Sequence, residues 1–79
     1  MKVFFFAQSR EAAGRDEYQL EIAKPVTQSE FWTLLTEAHP KLSSFQKTAR
    51  LARRETYLQQ HDLLQPADEI AVIPPVSGG

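Results

Sequence analysis

The residues with the clearest chemical potential stand at the end of the sequence, Pro74-Pro75-Val76-Ser77-Gly78-Gly79. Glycine carries no Cβ, so its backbone can approach a ligand or a channel wall closely, and it leaves the carbonyl of Gly79 sterically open. Such an end is either a frayed terminus of the kind that most domains have, or a segment that another protein binds in its active site and reacts there. The rest of the sequence decides between the two.

Other residues that often do chemistry form weaker patterns. The sequence has no cysteine, which excludes a thiol nucleophile and a disulfide scaffold and is typical of a cytoplasmic protein. His39 and His61 stand far apart without acidic or thiolate residues at ligand spacing, so we expect no metal site. The sequence places no base for Ser77. We interpret Asp68 and Glu69 as turn and surface residues, because neighbours entering a strand face opposite ways.

Length and charge indicate one small domain without a strong electrostatic preference. The 79 residues are 42% hydrophobic, which is normal for a globular protein and too high for a disordered one. The net charge of −1 favours neither nucleic acid nor a membrane surface as a partner. Arg50, Arg53 and Arg54 form a small basic cluster, which we interpret as a solvated strand face; docking to an acidic partner is the alternative.

Two strands and two helical segments are predicted in the first half of the chain. Residues 2–7 are rich in aromatic residues and predict a strand, and the alternation over 16–23 predicts its antiparallel partner. Ser9 and Gly14 have the residue types that begin and end a short helix between these strands. Thr27-Gln28-Ser29-Glu30 is a capping box at the start of a longer helix, and the proline of His39-Pro40 ends it.

The second half predicts short elements and one clear strand. They are a short helix over 42–48, weak strands over 49–53 and 56–59, and a last strand over 69–73. The first and last strands would lie side by side in parallel, with the long helix across one face of the sheet. We therefore predict an α+β, β-grasp (ubiquitin-like) domain over residues 1–73, with a mixed sheet packed on one main helix, and a flexible C-terminal tail over 74–79.

The face of the sheet away from the long helix is a candidate docking surface. It would carry the apolar residues Phe4, Phe6, Ala71 and Ile73. An exposed apolar patch on a small protein usually marks an interface, and aromatic residues often anchor one. We predict that Phe6, Tyr57 and Ile73 contribute to partner docking. The alternative is that residues 41–48 fold over this face.

Three segments resemble the small, sulfur-carrying subunit of molybdopterin synthase, an ubiquitin-like sulfur-carrier family. They are Val3-Phe4-Phe5-Phe6-Ala7-Gln8 with the following Arg10-Glu11, then Asp68-Glu69-Ile70-Ala71-Val72, and the C-terminal Pro-Pro-Val-Ser-Gly-Gly. The resemblance covers the whole length, and its C-terminal motif is the most specific part. Arg53-Arg54 departs from it, because the family often has a small apolar residue followed by Asn there.

The resemblance implies a chemical role for Gly79. A partner would adenylate its carboxylate, which would become a thiocarboxylate and donate sulfur to cyclic pyranopterin monophosphate, forming the dithiolene of molybdopterin. The segment threaded into the partner's active site would be Pro74, Pro75, Val76, Ser77 and Gly78. In a polyproline-like conformation, residues 74–79 would reach about 19 Å.

The resemblance also implies the partners. The large subunit of molybdopterin synthase would form a heterotetramer with this chain, two of each, and that sulfurtransferase complex would be the enzyme. This chain would act in it as a sulfur donor without catalytic side chains of its own. An ubiquitin-activating-like adenylyltransferase would use ATP and Mg²⁺, and a sulfur donor protein would supply the sulfur. We expect this chain itself to bind no cofactor, nucleic acid or membrane.

Three alternatives remain open from the sequence. A sulfur carrier for thiazole synthesis or for tRNA thiolation would use the same chemistry at Gly79 with a different acceptor. An ubiquitin-like protein modifier would be activated in the same way and then joined to lysines. A plain binding module would leave the diglycine unreacted.

Overall fold

A mixed five-stranded sheet carries the helices on one of its faces. The computed structural model describes residues 1–75. In chain order the elements are β1 (Lys2–Phe5), α1 (Ala7–Ala13), β2 (Glu17–Gln19), α2 (Gln28–Ala38), a 3₁₀ helix (Pro40–Phe45), β3 (Arg50–Arg53), β4 (Thr56–Tyr57) and β5 (Glu69–Ile73). The strands lie in the order β2-β1-β5-β3-β4, which confirms the predicted β-grasp fold. Over the described residues, no helix is both long and apolar enough to cross a membrane.

The first and last strands lie next to each other in parallel, as predicted. Val3 is paired with Ile70 and Phe5 with Val72, so the apolar residues of the two strands alternate in step. β5 pairs on its other side with β3, in antiparallel orientation. The strand that leads to the tail is therefore central in the sheet and hydrogen-bonded on both edges.

The predicted capping box begins α2. The Thr27 hydroxyl accepts a hydrogen bond from the Glu30 backbone N–H (3.1 Å), and the Glu30 carboxylate accepts one from the Thr27 N–H (2.8 Å). The bond from the Thr27 backbone lowers the pKa of Glu30 because it favours the charged carboxylate. The helix ends at Ala38, and Pro40 opens the 3₁₀ helix, in agreement with the expected effect of that proline.

The core fills the space between the helices and one face of the sheet. Val3, Ile70 and Val72 are fully buried on the sheet side. Phe31 and Leu35 of α2 are fully buried opposite them, as is Leu42 of the 3₁₀ helix. Burial of such side chains from water is the main favourable contribution to folding.

Several predicted boundaries were wrong by a few residues. β1 ends at Phe5 instead of residue 7, and α1 begins at Ala7 instead of Ser9, because the backbone turns at Ala7, where φ is +51°. β2 is ordered as a strand only over Glu17–Gln19, and β4 only over Thr56–Tyr57. Both are edge strands with a single neighbour in the sheet, so fewer ladder bonds extend them. The helix expected over 42–48 is the 3₁₀ helix, and it begins two residues earlier.

A two-residue turn joins β3 to β4. Arg53 is paired with Thr56, and the intervening Arg54 and Glu55 both have positive φ, +52° and +65°. Positive φ at both central residues defines the type I′ turn, which normally favours Asn and Gly. The departure at Arg53-Arg54 noted in the sequence therefore leaves the hairpin intact, with two residues in an unfavourable backbone conformation.

Candidate functional site

The sheet face away from the helices forms an apolar depression, which we call the open face. It has a volume of about 490 Å³ and is lined by Phe4, Phe6, Ala52, Ala67, Ala71 and Ile73, with a polar side of Arg53, Arg54, Glu55, Asp68 and Glu69. Phe6 remains 49% exposed. The structure therefore brings together all four apolar residues that the sequence placed on this face.

The 3₁₀ helix does not cover the open face, so the alternative raised for residues 41–48 is wrong. This helix contacts α1 and α2, and its Leu42 is fully buried in the core. None of its residues lines the depression. Over residues 1–75, no helix covers the open face.

An ion pair fixes the polar side of the open face. The Arg53 guanidinium donates a hydrogen bond of 2.6 Å to the Asp68 carboxylate, and another of 3.1 Å to the carbonyl of Leu63. The same Asp68 oxygen accepts the backbone N–H of Gln65 at 2.8 Å. The side chains of Arg53 and Asp68 are only 30% and 16% exposed, respectively. This pair joins β3 to the turn before β5, so Arg53 and Asp68 are primarily structural.

Tyr57 lies on the same side of the sheet but at its edge. Ala52 is paired with Tyr57 on one side and with Ala71 on the other, and residues opposite each other in a sheet share a face. The Arg50 guanidinium lies 3.8 Å from the centroid of the Tyr57 ring, a cation–π contact. Tyr57 is 44% exposed, and it does not line the depression. Arg50 thus contacts Tyr57, whereas Arg53 pairs with Asp68, so these two arginines have different partners.

The predicted tail begins directly beside the open face. Ile73 lines the depression and is the last residue of β5. Pro74 is buried and Pro75 is exposed, so the accessible part of the described tail begins at Pro75. The predicted site residues Val76, Ser77, Gly78 and Gly79 lie outside the described residues.

His39 lies on the opposite, helical side of the sheet. Its ring makes edge-to-face contacts with Phe5 and Tyr18, with centroids 5.7 and 4.6 Å apart. Burial lowers the pKa of His39, the charge of Arg15 lowers it further, and a backbone interaction with Leu35 partly opposes both. Residues 1–75 contain no cluster of three or more His, Cys, Asp or Glu able to hold a metal ion.

Sequence reasoning missed some residues of the site. Ala52 and Ala67 complete its apolar lining, but small side chains in weakly predicted segments give no signal of their own. The Arg53–Asp68 pair joins residues that are 15 apart in sequence, and nothing local indicated that contact. Ser9 was predicted to cap the start of α1 from the N-cap position. The N-cap is Phe6, and the fully buried Ser9 lies in the first turn, where its hydroxyl accepts the Phe6 N–H.

Comparison with known proteins identifies the family. Residues 3–79 match the ThiS family. The molybdopterin synthase sulfur carrier subunit of Chlamydomonas reinhardtii is 38% identical, and the alignment covers 100% of this chain and 98% of that one. The human protein of the same name is 34% identical, with 100% and 93% covered. The crystal structure of SAMP1 (small archaeal modifier protein 1) from Haloferax volcanii superposes with a TM-score of 0.84 at 26% identity, covering 100% of this chain and 98% of that chain. The chain therefore belongs to the ThiS family.

Proposed function

We propose that this chain is the sulfur carrier subunit of a molybdopterin synthase. One observation carries the proposal: full-length similarity, through to Gly79, to proteins named molybdopterin synthase sulfur carrier subunit. The open face supports it, because a carrier without catalytic side chains must dock on enzymes that supply them.

The proposed chemistry takes place at the Gly79 carboxylate, which is ionised at neutral pH. Its oxygen attacks the α-phosphorus of ATP, pyrophosphate leaves, and an acyl adenylate forms. A persulfide on a donor protein attacks the acyl carbon, and AMP leaves with the bonding electrons. A thiol then cleaves the resulting acyl disulfide and leaves the thiocarboxylate on Gly79. ATP and Mg²⁺ belong to an adenylyltransferase partner, and this chain needs no cofactor of its own.

The thiocarboxylate then donates its sulfur within the synthase. In this proposal the large subunit binds the open face, receives the tail, and provides the site where cyclic pyranopterin monophosphate acquires the two dithiolene sulfurs. Two large and two small subunits form the complex, which is the enzyme. Ile73 contributes to the docking surface and stands one residue before Pro74-Pro75, so docking and insertion of the tail occur at the same end of β5.

Removal of Gly79 tests the chemistry. We would incubate the full chain with an adenylyltransferase, ATP, Mg²⁺, a persulfide donor and a thiol reductant, and measure its intact mass. The unaltered chain should gain about 16 Da, the difference between sulfur and oxygen. A chain lacking Gly79 should gain nothing and should not support molybdopterin formation with the large subunit. Ser77→Ala is the control, since it alters the tail without the reacting carboxyl group. Molybdopterin formation by the chain lacking Gly79 would refute the proposal.

A protein modifier is the second candidate, and the similarity to SAMP1 favours it. The similarity covers the whole chain. In that case Gly79 would be joined to lysines of other proteins, and purification from the native cell would yield a ladder of higher-mass conjugates. A mass gain of about 16 Da without such a ladder supports the carrier. A carrier for thiazole synthesis or tRNA thiolation would show the same gain but would not bind the large synthase subunit.

A further inference from the structure

Ser9 is a buried polar residue for which the proposed chemistry has no role. It is fully buried, and in the part of the chain described it is the only buried residue with a polar or charged side chain. Burying a hydroxyl costs free energy unless it makes hydrogen bonds. The hydrogen bonds of the Ser9 hydroxyl therefore indicate why a polar side chain is buried at this position.

The Ser9 hydroxyl bonds to both backbone polar groups of Phe6. It accepts the Phe6 N–H at 3.1 Å and donates to the Phe6 carbonyl at 2.6 Å. It also lies 3.4 Å from the carbonyl of Val72, which is 63 residues away in sequence. One side chain thus contacts the residue that follows β1 and the strand that leads to the tail.

Phe6 depends on this hydroxyl because the sheet no longer holds it. β1 ends at Phe5, and at Ala7 the backbone turns with φ of +51°, a conformation that non-glycine residues rarely adopt. The Ser9 backbone N–H adds a bond of 3.1 Å to the Phe6 carbonyl. These bonds fix the backbone of Phe6, and its half-exposed ring lines the open face.

We propose that Ser9 is a positioning residue for docking, which holds Phe6 at the open face and links it to the end of β5. This inference rests on the proposed function, because it concerns docking through the same face. Val72 precedes Ile73, which lines the depression. Two parts of the docking surface are therefore joined through one hydroxyl that a partner never touches.

The first test measures the link without any partner. In Ser9→Ala the Phe6 N–H loses its acceptor, so its hydrogen exchange by NMR should become about tenfold faster. Thr36→Ala is the matched control, because the Thr36 hydroxyl donates to the carbonyl of Trp32 at 2.7 Å within α2, away from the open face. It should leave Phe6 exchange unchanged. Ser9→Cys keeps a side chain of similar size with a weaker hydrogen-bonding group. Its exchange rate at the Phe6 N–H should lie between those of the wild type and Ser9→Ala. Wild-type exchange at Phe6 in both Ser9 variants would overturn the proposal.

The second test measures the dissociation constant for the large synthase subunit by calorimetry. We expect Ser9→Ala to weaken binding about tenfold, Thr36→Ala not to change it, and Phe6→Ala to weaken it. If Ser9 acts through Phe6, then Ser9→Ala should add little in the Phe6→Ala background, since coupled residues are not additive. If Ser9 had only a structural role, Ser9→Ala would lower thermal stability, but its effect on binding would not depend on whether Phe6 is present.

The two possible failures are distinguishable. Unchanged binding by Ser9→Ala together with weakened binding by Phe6→Ala would overturn the role of Ser9 and leave the proposed docking face standing. Fully additive effects of the two substitutions would also overturn it. Wild-type binding by Phe6→Ala would count against docking through Phe6 itself, and thus against both proposals. Absence of binding by the wild-type chain would contradict the proposed function and, with it, the docking role of Ser9. Faster Phe6 exchange in Ser9→Ala would then establish only the link between Ser9 and Phe6.

Discussion

The two faces of one sheet differ although the same strands build both. On the helical face, Val3, Ile70 and Val72 are fully buried. On the open face, Phe4, Ala71 and Ile73 are only partly buried. The strands carry apolar residues on both sides, and the helices lie on one side only. Apolar surface is therefore left uncovered on the other side over the described residues. One face stabilises the fold, and the other is available for binding.

Val72→Asp and Ile73→Asp place the same charge on opposite faces at neighbouring positions. At Val72 the carboxylate would be buried without a partner, which should cost about 4 kcal/mol or more. That is a large part of the stability of so small a domain, so we expect loss of cooperative thermal unfolding in circular dichroism. Ile73→Asp should retain it. Equal loss of folding in both variants would contradict the distinction between the faces.

Ile73→Asp should instead act on binding. An apolar residue at the centre of an interface commonly contributes about 2 kcal/mol, so the dissociation constant for the large synthase subunit should rise about 30-fold. Phe6→Asp should behave similarly, and calorimetry on the folded variants measures both. Tyr57→Ala is a control for position. Because Tyr57 lies at the edge of the sheet, we expect it to raise the dissociation constant less than Ile73→Asp does. Unweakened binding in Ile73→Asp would exclude the open face as the docking surface.

Asp68→Ala tests whether the polar side of the open face belongs to the fold. Its removal would leave Arg53 with only the Leu63 carbonyl as acceptor and the Gln65 N–H with none, so we expect the free energy of unfolding to fall by about 2 kcal/mol. Urea denaturation gives this value. The neighbouring Glu69 is exposed, and Glu69→Ala should change stability by no more than about 0.5 kcal/mol. Equal effects would show that the ion pair contributes nothing particular.

Glu55→Gly should stabilise the domain. Glu55 has φ of +65° in the β3–β4 turn, and glycine adopts this conformation without steric cost. After the entropy cost of glycine is subtracted, we expect the free energy of unfolding, measured by urea denaturation, to rise by about 0.5 kcal/mol. Glu55→Ala relieves no strain and should give no gain. A loss of stability in Glu55→Gly would show that the turn is not strained.

The smallest expected effect is the pH dependence that His39 gives to the helical face. Its pKa is lowered from 6.5 in the folded state, so on acidification the unfolded chain takes up this proton first. The resulting stability is complete above pH 6.5 and is lost as the pH falls through the folded-state pKa. Urea denaturation between pH 7.5 and 5.5 should show this decline in the wild type and a weaker one in His39→Gln. Parallel curves would exclude His39 as the cause.

The features that local sequence determines were the ones the sequence predicted well. The Thr27–Glu30 capping box and the bounds of β5 depend on residues that are close in sequence. The turn at Ala7 was missed because the buried Ser9 hydroxyl, with its contact to distant Val72, helps to hold it. The open face was predicted from strand alternation, whereas its Arg53–Asp68 side depends on a tertiary contact. No single residue of this chain identifies the partner.

The central position of β5 has a mechanical consequence. A partner that pulled on the tail would apply force to the end of a strand with neighbours on both edges. The load runs along β5, so the ladders to β1 and β3 are sheared together and many hydrogen bonds resist at once, whereas a peeled edge strand would break them one at a time. The domain should therefore stay folded under a pull applied at Pro74-Pro75.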